Sequence, residues 1–174
     1  LDDTEHLFRP GMNVADLGSA PGSWTQIVRE RLTDKNGELK GRIIAMDILP
    51  MEPIDGVPVL QGDFREQEVA DKLNEILGGD KLDVVISDMA PNLSGIAMVD
   101  ANASLLLNEL ALDFAVEHLK PEGVFVTKAF QGSGYSQFIE NCKKHFVSVA
   151  QRKPEASRNS SAEMYVVARR LKQK

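Results

Sequence analysis

The sequence is poor in the residues that build disulfide frameworks and metal centres. Its 174 residues include one cysteine, Cys142, and three histidines. One cysteine cannot form an internal disulfide or a zinc cluster, so a reducing cytoplasm is the default compartment. No apolar run approaches the roughly 20 residues that cross a bilayer, and no signal peptide is recognisable. We therefore expect neither a metal centre nor a membrane partner.

Basic residues are outnumbered by acidic ones, but they are concentrated at one end of the chain. The formal net charge is −6. Residues 143–174 contain nine Lys or Arg against two Glu, a net of +7, so the first 142 residues carry −13. This asymmetry is typical of a surface that binds a polyanion, and equally of a solvated helix face followed by a basic tail. Charge alone leaves the partner open.

Apolar runs alternate with helical patterns along the chain. They predict strands at 12–17, 42–47, 57–60, 82–88, 124–129, 146–152 and 164–168, and helices at 23–32, 64–77, 103–119 and 135–145. Such alternation favours an α/β fold in one domain over residues 1–174, with a mostly parallel sheet and helices on both faces. Ligands of these folds bind beyond the carboxyl ends of the strands.

Charged residues recur where the predicted strands end. These are Asp16, Asp47, Asp63, Asp88 and Lys128, on the first five strands in turn. Any single carboxylate after a strand is usually a helix cap or a turn residue. Their recurrence at one edge of a parallel sheet favours a binding site.

The turn after the first strand discriminates between cofactors. Gly18 and Gly22 are four residues apart with Pro21 between them, so the G-x-G-x-x-G pattern of dinucleotide sites is absent. Proline donates no N–H, which makes the turn a poor phosphate cradle. S-adenosylmethionine has no phosphate and carries a cationic sulfonium, so a carboxylate-lined pocket suits it. We expect Asp47 to accept hydrogen bonds from its ribose and Asp63 from its adenine amino group.

Lys128 follows an apolar strand, where a lysine is rarely buried without a partner. We interpret it as a general base or an electrostatic anchor in a cleft, opposite Asp88 on the neighbouring strand. The alternative is a surface lysine whose charged end reaches solvent at the sheet edge. Glu163 stands near the start of the last predicted strand, and by itself it indicates only a polar strand entry.

Six segments together resemble one known family. They are LFRPGM at 7–12, DLGSAPGSW at 16–24, DILPM at 47–51, QGDFR at 61–65, SDMAPN at 87–92 and RKPEASR at 152–158. From Leu7 onward the chain is similar to the FtsJ/RrmJ family, the bacterial 2′-O-ribose methyltransferases of large-subunit ribosomal RNA. The resemblance implies a Rossmann-like S-adenosylmethionine-dependent methyltransferase fold with a seven-stranded sheet. It also implies methyl transfer to a ribose 2′-hydroxyl, with a uridine of 23S ribosomal RNA as the target.

The family likeness also assigns roles to residues. It implies a Lys–Asp–Lys–Glu tetrad in which Asp88, Lys128 and Glu163 supply the last three members. The positions that match the family's cofactor-binding residues are Gly22, Trp24, Asp47, Asp63 and Asp88. The first lysine would precede the LFRPGM segment, and since the chain opens at Leu1 without a methionine, we expect an upstream segment.

The residues leave the role of Lys128 open between proton acceptor and charged anchor of the 2′-oxygen. A lysine amine is almost wholly protonated in water at neutral pH, so a base role needs an environment that favours the neutral form. RNA would reach the cleft of a monomeric enzyme across the basic C-terminal third. The cations expected to contact it are Lys153, Arg158, Arg169, Arg170, Lys172 and Lys174.

Three other functions remain as alternatives. One is a non-catalytic ribosome-assembly factor that binds RNA and keeps a methyltransferase fold. Another is a small-molecule O-methyltransferase, which usually has a metal or a histidine base near the acceptor. A nicotinamide dehydrogenase is the weakest alternative because of the proline in the first turn.

Overall fold

The computed structural model describes residues 8, 11–17, 41–47, 59–61, 66–87, 97–132, 134–153 and 163–172, with the backbone alone for 47, 59–61 and 97–104. The described strands are β1 (Asn13–Leu17), β2 (Arg42–Asp47), β3 (Val59–Gln61), β4 (Leu82–Ser87), β5 (Leu119–Phe130), β6 (Phe146–Arg152) and β7 (Glu163–Leu171). The described helices are α1 (Gln67–Leu77), α2 (Ala97–His118) and α3 (Tyr135–His145). The helix predicted at 23–32 lies outside the described residues.

The strands form one seven-stranded sheet in the order β3-β2-β1-β4-β5-β7-β6. Strands β1 to β5 pair in parallel, and β7 lies antiparallel between β5 and β6. The strands from β1 to β6 therefore end at one edge of the sheet, here called the carboxyl edge, and β7 begins there. The strand order reverses between β1 and β4, which is the topological switch point where ligands of such folds bind. The expected seven-stranded Rossmann-like architecture is confirmed.

The two faces of the sheet pack into separate apolar cores. On the face here called the helix face, Phe125 of β5 packs with Leu73 of α1, Phe114 of α2 and Phe138 of α3. On the opposite face, the core includes Val14, Ile43, Val84, Val126, Val167 and, from outside the sheet, Phe8. The strands read as continuous apolar runs because neighbouring residues enter different cores. All three described helices cover the helix face.

The ends of α1 follow from its sequence. Val69, Leu73 and Leu77 are buried at helical spacing. The helix ends at Gly78, whose left-handed backbone (φ 61°) lets its N–H donate to the carbonyl of Asn74 at 2.9 Å. The described helix begins at Gln67, later than the predicted residue 64. Residues 62–65 lie outside the described part.

The predicted beginnings of α2 and β5 are wrong. Helix α2 begins at Ala97 rather than at 103, because alanines in this stretch favour a helix even where the apolar periodicity is broken by polar residues. Strand β5 begins at Leu119 rather than at 124. Its pairing with β4 shifts register between Leu82↔Leu119 and Val84↔Val124, so the extra residues form a bulge that contains Pro121. Proline is tolerated there because bulged residues need no ladder hydrogen bond.

Strand β7 also extends beyond its predicted end, to Leu171. Ala168 and Leu171 both pack with the helix-face core, although residues three apart in a regular strand point to opposite faces. Between them, Arg170 has a positive φ of 62°, and no other described non-glycine residue does. We attribute the return of Leu171 to the core to this left-handed residue.

Cys142 lies in the helix-face core and is fully buried. Burial, with a smaller contribution from Glu109, raises the pKa of its thiol to about 12. Within the described part of the chain, no helix is both long and apolar enough to span a membrane.

Candidate active site

Lys128 lies two residues before the end of β5 at the carboxyl edge. Its neighbours Thr127 and Ala129 are buried, and Ala129 belongs to the helix-face core. Because successive strand residues point to opposite faces, Lys128 projects from the opposite face. Its Nζ lies 5.9 Å from the ring centroid of Phe130, which shares that face. The half-buried lysine thus lies at the edge of the sheet beyond which ligands of such folds bind.

Glu163 approaches Lys128 from the antiparallel strand β7. In the register of the two strands, Lys128 faces Tyr165 and Phe130 faces Glu163. The four side chains therefore share one face, and Glu163 is the diagonal neighbour of Lys128. Diagonal neighbours lie roughly 7–8 Å apart at the backbone, within reach of a long side chain. The structure brings these two predicted catalytic residues together.

The backbone of Lys128 is fixed from the helix face. The buried hydroxyl of Thr127 donates to the amide oxygen Oδ1 of Asn108 at 3.3 Å. Asn108 is on α2 and is itself buried. Because a buried polar side chain without a hydrogen-bond partner destabilises the folded state, this bond fixes the position of α2 relative to β5. It positions the residue that precedes Lys128.

The remaining predicted site residues are less fully described. Asp88, Gly22, Trp24 and Asp63 lie outside the described residues. The backbone of Asp47 ends β2, and its side chain also lies outside the described part. In the sequence, these residues end or follow strands β1 to β4, whose ends meet at the carboxyl edge.

The described part of this edge fits a cationic cofactor without phosphate. Asp16 is fully buried near the end of β1 and is paired in register with Ala45 of β2. Asp47 lies two residues further along β2. Among the described residues, the carboxyl-terminal halves of β1 to β4 contain no lysine or arginine. The presence of Asp16 and the absence of a cation among the described residues beside the switch point suit a sulfonium better than a pyrophosphate, which agrees with the expected S-adenosylmethionine.

The structure places Tyr165 directly beside Lys128 and Arg152 one strand further along, and the sequence had indicated no role for either residue. Tyr165 pairs with Lys128 on one side and with Arg152 of β6 on the other, forming a row across three strands. The alternation of Glu163 and Tyr165, two residues apart, was a signal that both share one face. Nothing in the sequence indicated that β7 would lie between β5 and β6.

The basic C-terminal residues separate into two groups. Arg152 and Lys153 lie at the carboxyl edge, where β6 ends. Arg170 and Lys172 lie at the opposite edge, because β7 runs away from the carboxyl edge. These last two cations therefore cannot line the cleft beside Lys128, contrary to the expectation from sequence. Arg158 and Lys174 lie outside the described residues.

Comparison with known proteins shows similarity to one family model, to two relatives and to one solved structure. The model of the family described as FtsJ-like methyltransferase matches residues 1–171. A protein named ribosomal RNA large subunit methyltransferase E from Bordetella petrii is 55% identical over 170 residues, which cover 98% of this chain and 81% of the relative. The protein of the same name from Cupriavidus necator is 50% identical over 180 residues, with 99% and 81% coverage. A crystal structure described as a ribosomal RNA methyltransferase from Plasmodium falciparum superposes with a TM-score of 0.85 at 29% identity, covering 98% of this chain and 92% of that one.

Proposed function

This chain belongs to the FtsJ-like methyltransferase family, and we propose that it methylates a ribose 2′-hydroxyl of large-subunit ribosomal RNA. The observation that carries the proposal is the placement of Lys128 and Glu163 on one face of adjacent strands at the carboxyl edge. The relatives of at least 50% identity that are described above bear the name ribosomal RNA large subunit methyltransferase E, which supports the RNA acceptor. The proposed target nucleotide is a uridine.

The proposed methyl donor is S-adenosylmethionine, which supplies a methyl group on a sulfonium that is already a good leaving group. The residues proposed to hold it are Gly22, Trp24, Asp47, Asp63 and Asp88. The protein's own tasks are then to align the acceptor oxygen and to help remove its proton. The apolar core that contains Val126 and Val167, on the sheet face opposite the helix face, would help to exclude water from the reacting groups.

We assign the proton-accepting role to Lys128. Its amine lies on the face shared with Phe130 and Tyr165, 5.9 Å from the centroid of the Phe130 ring. Glu163, which lies on the same face, would hold the resulting ammonium or orient the 2′-oxygen. Asp88 would act with them from the end of β4.

The proposed setting is a monomeric cytoplasmic enzyme that acts on the large ribosomal subunit. Arg152 and Lys153, at the end of β6, are the described cations closest along the sheet edge to Lys128. They would contact phosphates beside the target nucleotide. Such contacts position RNA without reading its sequence, so the choice of uridine must come from other contacts.

The test is transfer of labelled methyl from S-adenosylmethionine to isolated large ribosomal subunits that lack this modification. We expect label in the large-subunit RNA and none in small catechols supplied as competing acceptors. Label in the catechols alone would indicate a small-molecule methyltransferase. Binding of the subunit without any transfer of label would indicate a non-catalytic assembly factor.

A further inference from the structure

A group of cations lies at the end of β7 that is opposite the candidate active site. It comprises Lys143 and Lys144 in the last turn of α3, with Arg170 near the end of β7 and Lys172 directly after that strand, and is here called the distal basic surface. The two elements are joined, because the N–H of Lys172 donates to the carbonyl of His145 at 2.8 Å. Residues distant in sequence thus form one continuous surface.

The charges of the distal basic surface are only partly neutralised. Lys143 has Glu140 at 3.7 Å. Lys144, Arg170 and Lys172 are exposed, and the structure shows no ion pair for them within the described ranges. In a chain whose formal charge is −6, this concentration of positive charge is a local feature.

The helix dipole explains only part of this pattern. Cations in the last turn of a helix interact favourably with its C-terminal carbonyls, which accounts for Lys143 and Lys144. Arg170 and Lys172 are on a strand end, where no such field exists. Arg170 also has a large charged side chain at a left-handed backbone position (φ 62°), where glycine or asparagine is more easily accommodated. A structural role alone therefore does not account for all four cations.

The surface also has a concave part. Arg170 and Lys172 line an open depression of about 570 Å³, together with Pro121, Val147, Leu171 and one acidic residue, Glu122. Val147 is 60% exposed on β6, which is the outermost strand of the sheet. A depression lined by both cations and apolar residues can accept a nucleic-acid chain, whose phosphates contact the cations and whose sugars or bases contact the apolar side chains.

The distance to the active site excludes contact with the same nucleotide. Leu171 is eight residues from Glu163 along β7. At roughly 3.3 Å per residue, the two ends of the strand are about 26 Å apart. A ligand of the distal basic surface that is also the substrate must therefore reach it with a separate segment.

We propose that the distal basic surface binds the phosphate backbone of a second segment of the same large-subunit RNA whose ribose is methylated at the carboxyl edge. This inference rests on the proposed function. Contacts to phosphate give affinity and orientation without sequence selection, which suits a docking point remote from the reaction. A second docking point also allows a protein of net negative charge to hold a large polyanion.

The test compares two variants of the full chain that lose the same charge. Lys144→Gln with Lys172→Gln removes two cations of the distal basic surface. Lys72→Gln with Lys81→Gln removes two exposed lysines from α1 and the segment before β4. Binding to unmethylated large ribosomal subunits is measured as a function of salt, and methyl transfer is measured as kcat and KM for the subunits.

We expect the distal variant to bind about tenfold more weakly. The slope of its log affinity plotted against log salt concentration should be shallower by roughly 2. Its KM should rise by a similar factor while its kcat stays unchanged, because the reacting groups are untouched. Equal effects of the two variants, or an unchanged salt slope in the distal variant, would overturn the proposal. Because binding is measured without turnover, absence of methyl transfer by the wild type overturns the proposed function alone.

Discussion

The neighbours of Lys128 in β5 determine which face of the sheet its side chain occupies. Thr127 and Ala129 are anchored on the helix face, so the strand must present Lys128 on the other face. The hydrogen bond from Thr127 to Asn108 adds a polar anchor that a purely apolar strand would lack. The sequence predicted Lys128 as a site residue because a lysine is rarely buried at the end of an apolar strand without a partner. It could not predict Tyr165 as the facing residue, since that depends on the pairing of β5 with β7.

If Lys128 accepts the proton, an arginine in its place retains the charge but cannot serve as a base. We predict that Lys128→Arg lowers kcat by about 100-fold or more, the contribution typical of general base catalysis. Measuring kcat across pH with ribosomal subunits checks this.

Lys120→Arg provides the matched control. It makes the same change at the other end of β5, where Lys120 pairs with Asp83 at 3.1 Å. An arginine can keep that ion pair, so this variant should retain wild-type kcat. Near-normal turnover of Lys128→Arg would instead assign Lys128 the role of a charged anchor.

At the scale of elements, the start of β2 depends on a close backbone approach. Gly41 has a φ of 102°, and a Cβ there would collide with the backbone of Met12. The next residue, Arg42, donates its N–H to the carbonyl of Met12 at 2.9 Å, so the two segments cannot simply separate. The glycine therefore satisfies both a conformational and a steric requirement.

A pair of alanine substitutions separates the two requirements. Gly11 has a similar φ of 94° but open space around its Cβ position. We predict that Gly11→Ala pays only the conformational cost, of about 1–3 kcal/mol. Gly41→Ala should lose roughly a further 1–3 kcal/mol to overpacking. Urea unfolding measures both, and equal losses would show that the contact with Met12 is easily relieved.

The end of α2 carries a pH-sensitive residue. Burial lowers the pKa of His118 from 6.5, with a smaller lowering contribution from Lys81 and an opposing one from Glu117. Its ring lies 4.4 Å from that of Phe114. Because the folded state holds the proton less tightly than the unfolded state, protonation favours unfolding. The stability associated with neutral His118 is therefore present above about pH 6.5 and is lost as the pH falls below it.

We predict that His118→Gln makes the free energy of unfolding less sensitive to pH between 7.5 and 5. The effect cannot exceed roughly 1.4 kcal/mol per pH unit, the limit for one proton. Urea unfolding of the wild type and the variant at several pH values checks this. Parallel stability curves for the two proteins would mean that His118 does not contribute.

The elements also show which parts of the fold the sequence can predict. Helix α3 and strands β2 and β6 have their predicted bounds because apolar spacing and turn residues agree there. Strand β5 was predicted too short, because Pro121 and Gly123 normally end a strand and here lie in a bulge. Strand β7 was also predicted too short, because its apolar run is followed by Arg169 and Arg170, although the pairing continues to Leu171. Local patterns fail where a tertiary contact overrides them.

At the scale of the whole molecule, the sheet distributes the chemistry between its two edges. The carboxyl edge receives Asp47, Lys128, Arg152 and Glu163 from four different strands. The opposite edge receives the basic end of β7. The sequence indicated a basic C-terminal third, but it could not show that the antiparallel β7 divides those cations between the two edges.

The central proposal is tested most directly by locating the transferred methyl group. Large-subunit RNA labelled by the chain would be digested with alkali, which cleaves after every ribose that has a free 2′-hydroxyl. We expect the label in an alkali-resistant dinucleotide that begins with uridine, and no label with Lys128→Met. Label recovered in a base-methylated mononucleotide would contradict transfer to the ribose.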